Sequence, residues 1–379
     1  MRHAIYVLLQ RLFSLRLLFP LRRKKIFFLG YYGSQYGCSP KYLSEHIVGL
    51  DAGWDVVWGF VAPEEHAVDG IRSVRYLSPR FFYELCTAAV LVTNYRMPRF
   101  YRKPADQLYV QTWHSSLRLK MIEGDAVETI PPHYVEMAKH DSRQIDVLLS
   151  GCRFSTDIFR RAFWYDGVIE ATGTPRMDVL LREDSDLRQA VRAKLGLAPA
   201  ARVVLYAPTF RKGNSLDCYD VDFEALVRTL SEAYGGEWKV LLRLHPHLRE
   251  FSRELCKSDS VLDATAYDDI QELLCVADCV ISDYSSLIFD FAVTHRPCFL
   301  YVPDLEDYLA TDRRLYFDIG SLPFPASRTN AELCAQIRAF DAAAYAARVE
   351  DFLALVGTYE DGHAAARVFG VITKRLQRV

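Results

Sequence analysis

The stretch Cys279-Val280-Ile281-Ser282-Asp283-Tyr284-Ser285-Ser286-Leu287-Ile288-Phe289-Asp290-Phe291 passes from one apolar run, through a polar turn, into another. Residues 279–282 show no in–out alternation. They read as a strand covered on both faces, the kind found in parallel sheets flanked by helices. Residues 287–294 read as the helix that follows. Ser285 and Ser286 then stand at a helix start, where hydroxyls and backbone N–H groups either cap the helix or hold an anion.

The same alternation extends outward in both directions. In this half, 202–207 is a strand stopped by Pro208, 223–234 a helix, 239–244 a strand stopped by Pro246, 270–277 a helix and 298–302 a strand. In the front half, 25–29 is a strand ending at Gly30, 41–50 a helix, 54–60 a strand and 79–88 a helix. Strands follow at 90–93, 108–112 and 147–150. Strands alternating with helices predict an α/β chain of two parallel-sheet halves with a cleft between them. The charged, then Ala/Pro-rich segment 182–201 reads as the join. Ligands in such folds sit at the carboxyl ends of the strands.

Four polar clusters stand at those ends: Gln111-Thr112-Trp113-His114-Ser115-Ser116, Thr209-Phe210-Arg211-Lys212, Arg243-Leu244-His245-Pro246-His247 and the 283–286 turn. Arg243 and His245 alternate with Leu244 and so share one face of their strand end. Arg211, Lys212, Arg243, His245 and the serine turn together suit a doubly charged, phosphate-rich ligand. There is no Gly-x-x-x-x-Gly-Lys and no Gly-x-Gly-x-x-Gly, which argues against P-loop and NAD chemistry. The pairs Asp184/Asp186 and Asp220/Asp222 lie in charged or loop-like stretches and are not expected to form a metal site; no resident cofactor is evident, and dependence on a divalent metal stays open.

Composition agrees with a globular chain. The 379 residues carry 46 basic and 48 acidic side chains; half are hydrophobic and a quarter charged. This excludes a disordered chain, a fibre or a small disulfide scaffold, and the length predicts two domains. A net charge of −2 argues against a nucleic-acid partner. The nine cysteines are scattered with no Cys-x-x-Cys, as expected of reduced thiols. The charge is uneven, however. No acidic residue precedes Glu45, while Arg11, Arg16, Arg22, Arg23, Lys24 and Lys25 do. On a helix, Leu8, Leu12, Leu15 and Phe19 form one stripe, with Arg11, Ser14, Arg22 and Lys25 off it. Residues 1–25 therefore predict a basic amphipathic segment lying on an anionic membrane surface. Arg11 and Arg16 interrupt any bilayer-spanning or signal-peptide run.

Read in order, several pieces resemble the CDP-glycerol glycerophosphotransferase family, which includes teichoic-acid primases and polymerases and capsule-forming relatives. They are Gln111-Thr112-Trp113-His114, Thr172-Gly173-Thr174-Pro175-Arg176-Met177-Asp178, Tyr206-Ala207-Pro208-Thr209-Phe210-Arg211 and Arg243-Leu244-His245-Pro246. The strand–turn–helix at 282–291, Asp304-Leu305-Glu306-Asp307-Tyr308 and Tyr316-Phe317-Asp318 continue the series, with an echo at Tyr359-Glu360-Asp361-Gly362-His363-Ala364.

The resemblance implies a GT-B-like fold: two Rossmann-like domains facing across a cleft, with the N-terminal amphipathic helix beside them. Residues 26–185 would be the acceptor domain, and 186–379 the CDP-alditol donor domain with C-terminal helices. It implies transfer of glycerol phosphate from CDP-glycerol to a hydroxyl of a lipid-linked or polymeric acceptor, with CMP released, at the cytoplasmic face of the membrane. The family's two essential histidines match His114 and His245. His114 would be the general base, a role that suits an imidazole titrating near ~6.5. His245 and Arg243 would stabilise charge on the pyrophosphate. Asp283, Ser285, Ser286 and Arg211 would meet the donor phosphates, and Gln111, Trp113 and Ser115 the acceptor. The family usually has Gly where Ser115 stands, and a Ser would crowd a position needing φ > 0. Three alternatives stay open: a GT-B glycosyltransferase using a nucleotide sugar, a CDP-ribitol-dependent transferase, and a silent scaffold subunit of a polymer-assembly complex.

Overall fold

In the computed structural model, which describes residues 19–377 apart from 183, 212–216, 246–247, 249–251 and 257, the apolar runs form two parallel sheets. The first contains β1 (Arg22–Leu29), β2 (Asp55–Phe60), β3 (Arg72–Arg75), β4 (Ala88–Thr93), β5 (Leu108–Gln111), β6 (Val147–Leu149) and β7 (Val168–Glu170). Its order is β3-β2-β1-β4-β5-β6-β7. The second contains β8 (Arg202–Tyr206), β9 (Trp238–Leu242), β10 (Val261–Asp263), β11 (Cys279–Ser282), β12 (Cys298–Tyr301) and β13 (Ala326–Ser327), in the order β10-β9-β8-β11-β12-β13. Each sheet repeats the strand order of a Rossmann fold, so the two Rossmann-like halves expected from the sequence are observed.

The central strands are the most apolar because helices cover both faces. Ile26, Phe27, Phe28 and Leu29 of β1 are all fully buried, and Ile26 pairs with Val56 on one side and Val90 on the other. In the second sheet Leu205 of β8 lies between Leu241 and Val280. All strand pairs are parallel, and the strand order switches between β1 and β4 and between β8 and β11. Loops leaving those strand ends are where such sheets place ligands.

Four strands escaped the sequence reading: β3, β7, β10 and β13. All four are sheet edges of two to four residues. An edge strand has one neighbour and less to bury, so its apolar pattern is weak.

The chain divides into two compact units differently from the expected 26–185 and 186–379. The first comprises the residues up to Ser116, Ile122–Asp178 and the chain from Thr358 on; the second comprises Leu117–Met121 and Val179–Gly357. The C-terminal helix Ala364–Leu376 belongs to the first sheet, not the second. Its Val368 and Ile372 are buried against Phe28, Ile47, Val56 and Trp58. Asp178 caps it, accepting the backbone N–H groups of Ala364 and Ala365 at 2.8 Å each. The segment expected as a plain join holds the helix Ser185–Lys194, capped by Asp184.

The basic front end also differs. Arg22, Arg23, Lys24 and Lys25 open β1, while Leu8, Leu12 and Leu15 of the expected stripe, with Arg11 and Ser14 off it, lie outside the described residues. Lys25 is fully buried and pairs with Glu84 at 2.7 Å; Arg72 and Arg80 reach the same carboxylate at 3.0 and 2.5 Å. Among the described residues no helix is long and apolar enough to cross a membrane.

Candidate active site

At the end of β5 the buried Gln111 anchors the next turn. Its Oε1 accepts the Trp113 N–H at 3.0 Å, and its Nε2 donates to the Tyr95 carbonyl and the Tyr109 hydroxyl at 2.9 and 3.2 Å. Trp113 is buried too, its ring edge-on to Phe163 at 4.9 Å. Both residues were expected to face an acceptor; the structure uses them to build the turn. Trp113 takes a left-handed φ of 53°, and the chain then delivers His114 to the surface. Ser115 is not in the left-handed region, so a side chain there meets no backbone penalty; the constraint falls two residues earlier.

His114 Nδ1 lies 3.2 Å from the carbonyl oxygen of Asn94. A carbonyl can only accept, so Nδ1 carries the proton and Nε2 is the basic nitrogen. The His114 carbonyl accepts from Arg176 Nη1 at 2.7 Å, which ties the 172–178 motif to this turn. Asn94 also receives the Tyr31 N–H on its Oδ1 at 3.0 Å. Tyr31, Tyr32, Cys38 and Trp113 all have φ between 46° and 61°. A non-glycine residue held there costs about 1–2 kcal/mol, and such strain gathers at functional sites.

In the second unit, the loops after β8 and β11 leave either side of the switch point. Arg211 is buried between two carboxylates: Asp304, 2.6 Å from its Nε and 3.1 Å from its Nη2, and Asp283, 2.9 Å from Nη2. Asp283 further accepts the Thr209 N–H at 2.9 and 3.0 Å. Burial opposes the Arg211 charge, but the two carboxylates outweigh it and hold the guanidinium well above its usual pKa. Burial likewise pushes the Asp304 carboxyl up, and the bonds from Arg211 bring it below the usual range. Arg211 and Asp283, both expected on the donor phosphates, are thus each other's partners. The trio sums to −1.

Tyr284 donates to Asp304 at 3.0 Å and stacks on Tyr308 with centroids 3.8 Å apart. Ser286 Oγ accepts the Leu119 N–H at 3.2 Å, and Ser285 Oγ the Leu287 N–H at 3.5 Å, at the start of the short helix Leu287–Ala292. After β9, Leu244 is buried while Arg243 is half-buried and His245 exposed, so the alternation read from the sequence holds. Arg243 Nη1 donates to the Ala264 carbonyl at 3.2 Å, and the His245 ring lies 5.4 Å from Phe210. Lys212 and His247 lie outside the described residues. Asp222 caps the helix Phe223–Tyr234, and Asp220 accepts the Tyr301 hydroxyl at 2.6 Å, so both have structural work of their own.

Compared with known proteins, residues 11–374 match the model of the CDP-Glycerol:Poly(glycerophosphate) glycerophosphotransferase family. The chain belongs to this family. It is 31% identical to the teichoic acid poly(glycerol phosphate) polymerase of Bacillus subtilis (strain 168), over 86% of this chain and 45% of that protein. A teichoic acid glycerol-phosphate transferase of Staphylococcus aureus (strain NCTC 8325 / PS 47) is 30% identical over 98% of this chain and 97% of its own. The chain spans about half the length of the first two polymerases it matches, 55% and 45%. The solved wall teichoic acid polymerase TagF superposes with a TM-score of 0.84 at 29% identity, covering all of this chain and 96% of that one. A histidine-to-asparagine variant of TagF soaked with CDPG gives 0.85 at 27%.

Family membership sharpens what the sequence reading missed. Asp304 and Tyr308 were visible as a motif, but not as the counter-ion and the ring that surround Arg211. Asn94, which orients His114, follows β4 with no motif to mark it. Only the end of an apolar strand beside the switch point signals it.

Proposed function

We propose that this chain transfers glycerol phosphate from CDP-glycerol to a hydroxyl of a polymeric or lipid-linked acceptor, releasing CMP, in the synthesis of a teichoic-acid-like or capsular surface polymer. The observation that carries the reading is the 3.2 Å approach of His114 Nδ1 to the Asn94 carbonyl oxygen. An exposed imidazole with Nδ1–H held by a backbone carbonyl presents Nε2 as a base. In the reaction the acceptor oxygen bonds to the β-phosphorus, its proton passes to Nε2, and the bond from that phosphorus to the bridging oxygen breaks. CMP carries away the bridging oxygen. His245 and Arg243 supply positive charge and hydrogen bonds to the departing phosphate.

The glycerol form is supported by the relatives. The Staphylococcus aureus glycerol-phosphate transferase matches end to end, whereas the ribitol-phosphate primase of Bacillus spizizenii is 28% identical over 78% of this chain. We assign the enzyme to the cytoplasmic face of the membrane, held peripherally by its basic N-terminal segment. The test is to incubate the purified chain with CDP-glycerol, CDP-ribitol and lipid-linked acceptors, and measure CMP release and product mass. Incorporation of sugar with release of UDP or GDP would overturn the reading. Deleting residues 1–18 should release the protein from anionic vesicles; unchanged binding would remove the N-terminal segment from that role.

A further inference from the structure

The segment Leu117–Met121 follows the His114 turn in the chain but is built into the second unit. Lys120 bridges Leu315, Met121 N–H donates to the Arg314 carbonyl at 2.9 Å, and Tyr316 N–H donates to the Leu119 carbonyl at 2.8 Å. With the bond from Leu119 N–H to Ser286 Oγ, these attachments fix where the Lys120 side chain begins, next to the serine turn.

Its ammonium lies 5.5 Å from the centroid of the Tyr308 ring, the same ring that Arg211 approaches at 5.1 Å. The two cations differ in one respect. Arg211 is bound by two carboxylates, whereas Lys120 makes no ion pair among the described residues. The charged groups around it are Asp283, Asp312, Arg313 and Arg211. Burial, with Arg313 and Arg211, lowers its pKa to about 8 against the pull of the two aspartates. In the same cluster the hydroxyls of Tyr308 and Thr209 are buried with no hydrogen-bond partner among the described residues. Buried polar groups normally have one. The Arg–Asp–Asp trio sums to −1 and offers phosphate no net attraction, so a cation not bound in that trio is the one that can supply it.

We propose that Lys120 is the cation that grips the diphosphate of the nucleotide donor beside the Ser286 turn. The identity of the donor rests on the function proposed above; the contact itself requires only a nucleoside diphosphate. The ammonium donates to phosphate oxygen and, on losing its proton near pH 8, loses the charge that makes the bond strong. Donor affinity therefore falls as pH rises through that value.

The test is calorimetric binding of CDP-glycerol, CDP, UDP and cytidine at pH 7 and pH 9 to the wild type, Lys120→Met and Lys120→Arg. Lys120→Met should weaken the diphosphates about tenfold or more while leaving cytidine unchanged. It should also remove the alkaline loss seen in the wild type. Lys120→Arg should retain binding at pH 9, because a guanidinium does not titrate there. Diphosphate binding by Lys120→Met equal to the wild type, with the same alkaline loss, would overturn the assignment. Should Lys120→Met fail to fold, Lys120→Arg decides: an alkaline loss still centred near pH 8 would overturn it. A wild type that prefers UDP and ignores CDP-glycerol defeats the proposed donor while Lys120 is still judged by its variants. A wild type that binds no nucleoside diphosphate defeats both.

Discussion

Glu360 and Thr174 are joined by three hydrogen bonds: the Thr174 N–H reaches both carboxylate oxygens at 3.0 Å, and its hydroxyl one of them at 2.9 Å. The motifs at 172–178 and 359–364 are therefore two halves of one clamp in the first unit. Gly173, at φ 73°, sits inside it, where a Cβ would meet Glu360 Oε2 at 2.7 Å and Ala364 Cβ at 3.2 Å. Arg367 adds a bond from Nε to the Thr172 carbonyl at 2.8 Å.

Glu360→Ala leaves the Thr174 donors without their acceptor, at a cost of about 1–3 kcal/mol. The expected result is faster amide hydrogen exchange along the Ala364–Leu376 helix. Unchanged exchange would show that the apolar face, the Asp178 cap and Arg367 hold the helix without Glu360.

His114→Ala should lower CMP release by about 10²–10⁴-fold, the usual worth of a positioned base. CDP-glycerol affinity should stay close to the wild type, because the base acts on the acceptor. Rate measurement and calorimetry separate the two; full turnover by the variant would remove His114 from the chemistry.

Arg211→Met strips both Asp283 and Asp304 of their partner. Breaking a buried pair in this way costs about 3–5 kcal/mol. Denaturant unfolding should show a large loss of stability, partly recovered by adding Asp304→Asn. A direct phosphate contact would instead lose donor affinity at unchanged stability.

Acid stability should depend on Glu84. Burial alone would raise its carboxyl, but hydrogen bonds from Arg72 and Lys25 hold it at about 2. Lys25 is itself lowered, because burial outweighs its pairing with Glu84. Glu84 gathers three cations, while Lys25 gains mainly from one acid. A carboxyl depressed from about 4.3 stabilises the fold fully above that pH and loses its contribution as pH falls towards 2. Glu84→Gln should therefore flatten the loss of stability between about pH 4 and pH 2, measured by urea midpoints. Asp141 acts in the opposite sense. Burial raises it to about 6, against Arg96 and the Tyr109 hydroxyl, so its cost grows as pH rises from about 3.9 to about 6, is full above that and vanishes only below about 3.9.

Much of the fold was legible from β11 outward. Cys279–Ser282 and Phe223–Tyr234 have the bounds that their patterns suggest, because a continuous apolar run and a one-faced apolar stripe after the capping Asp222 are both local signals. The edge strands were not legible, since an edge is defined by where the sheet stops. The candidate site residues His114, Arg243 and His245 stand at strand ends, as the sequence placed them. The site was misread wherever a residue's role depends on a partner far along the chain. Lys25 was counted as bare charge, yet Glu84 neutralises it 59 residues later. Arg211 was counted as free for phosphate, yet Asp304 binds it 93 residues on.

By itself the sequence determined the strand–helix alternation, the two Rossmann halves and the family, because apolar runs, turns and short motifs are local properties of the chain. Only the tertiary structure decided which sheet the C-terminal helix covers and which cations are already matched. Those outcomes depend on which carboxylates and apolar faces arrive from elsewhere. Arg211 and Lys120 look alike along the chain; two aspartates bind the first, and the second stands beside the serine turn without an ion-pair partner among the described residues.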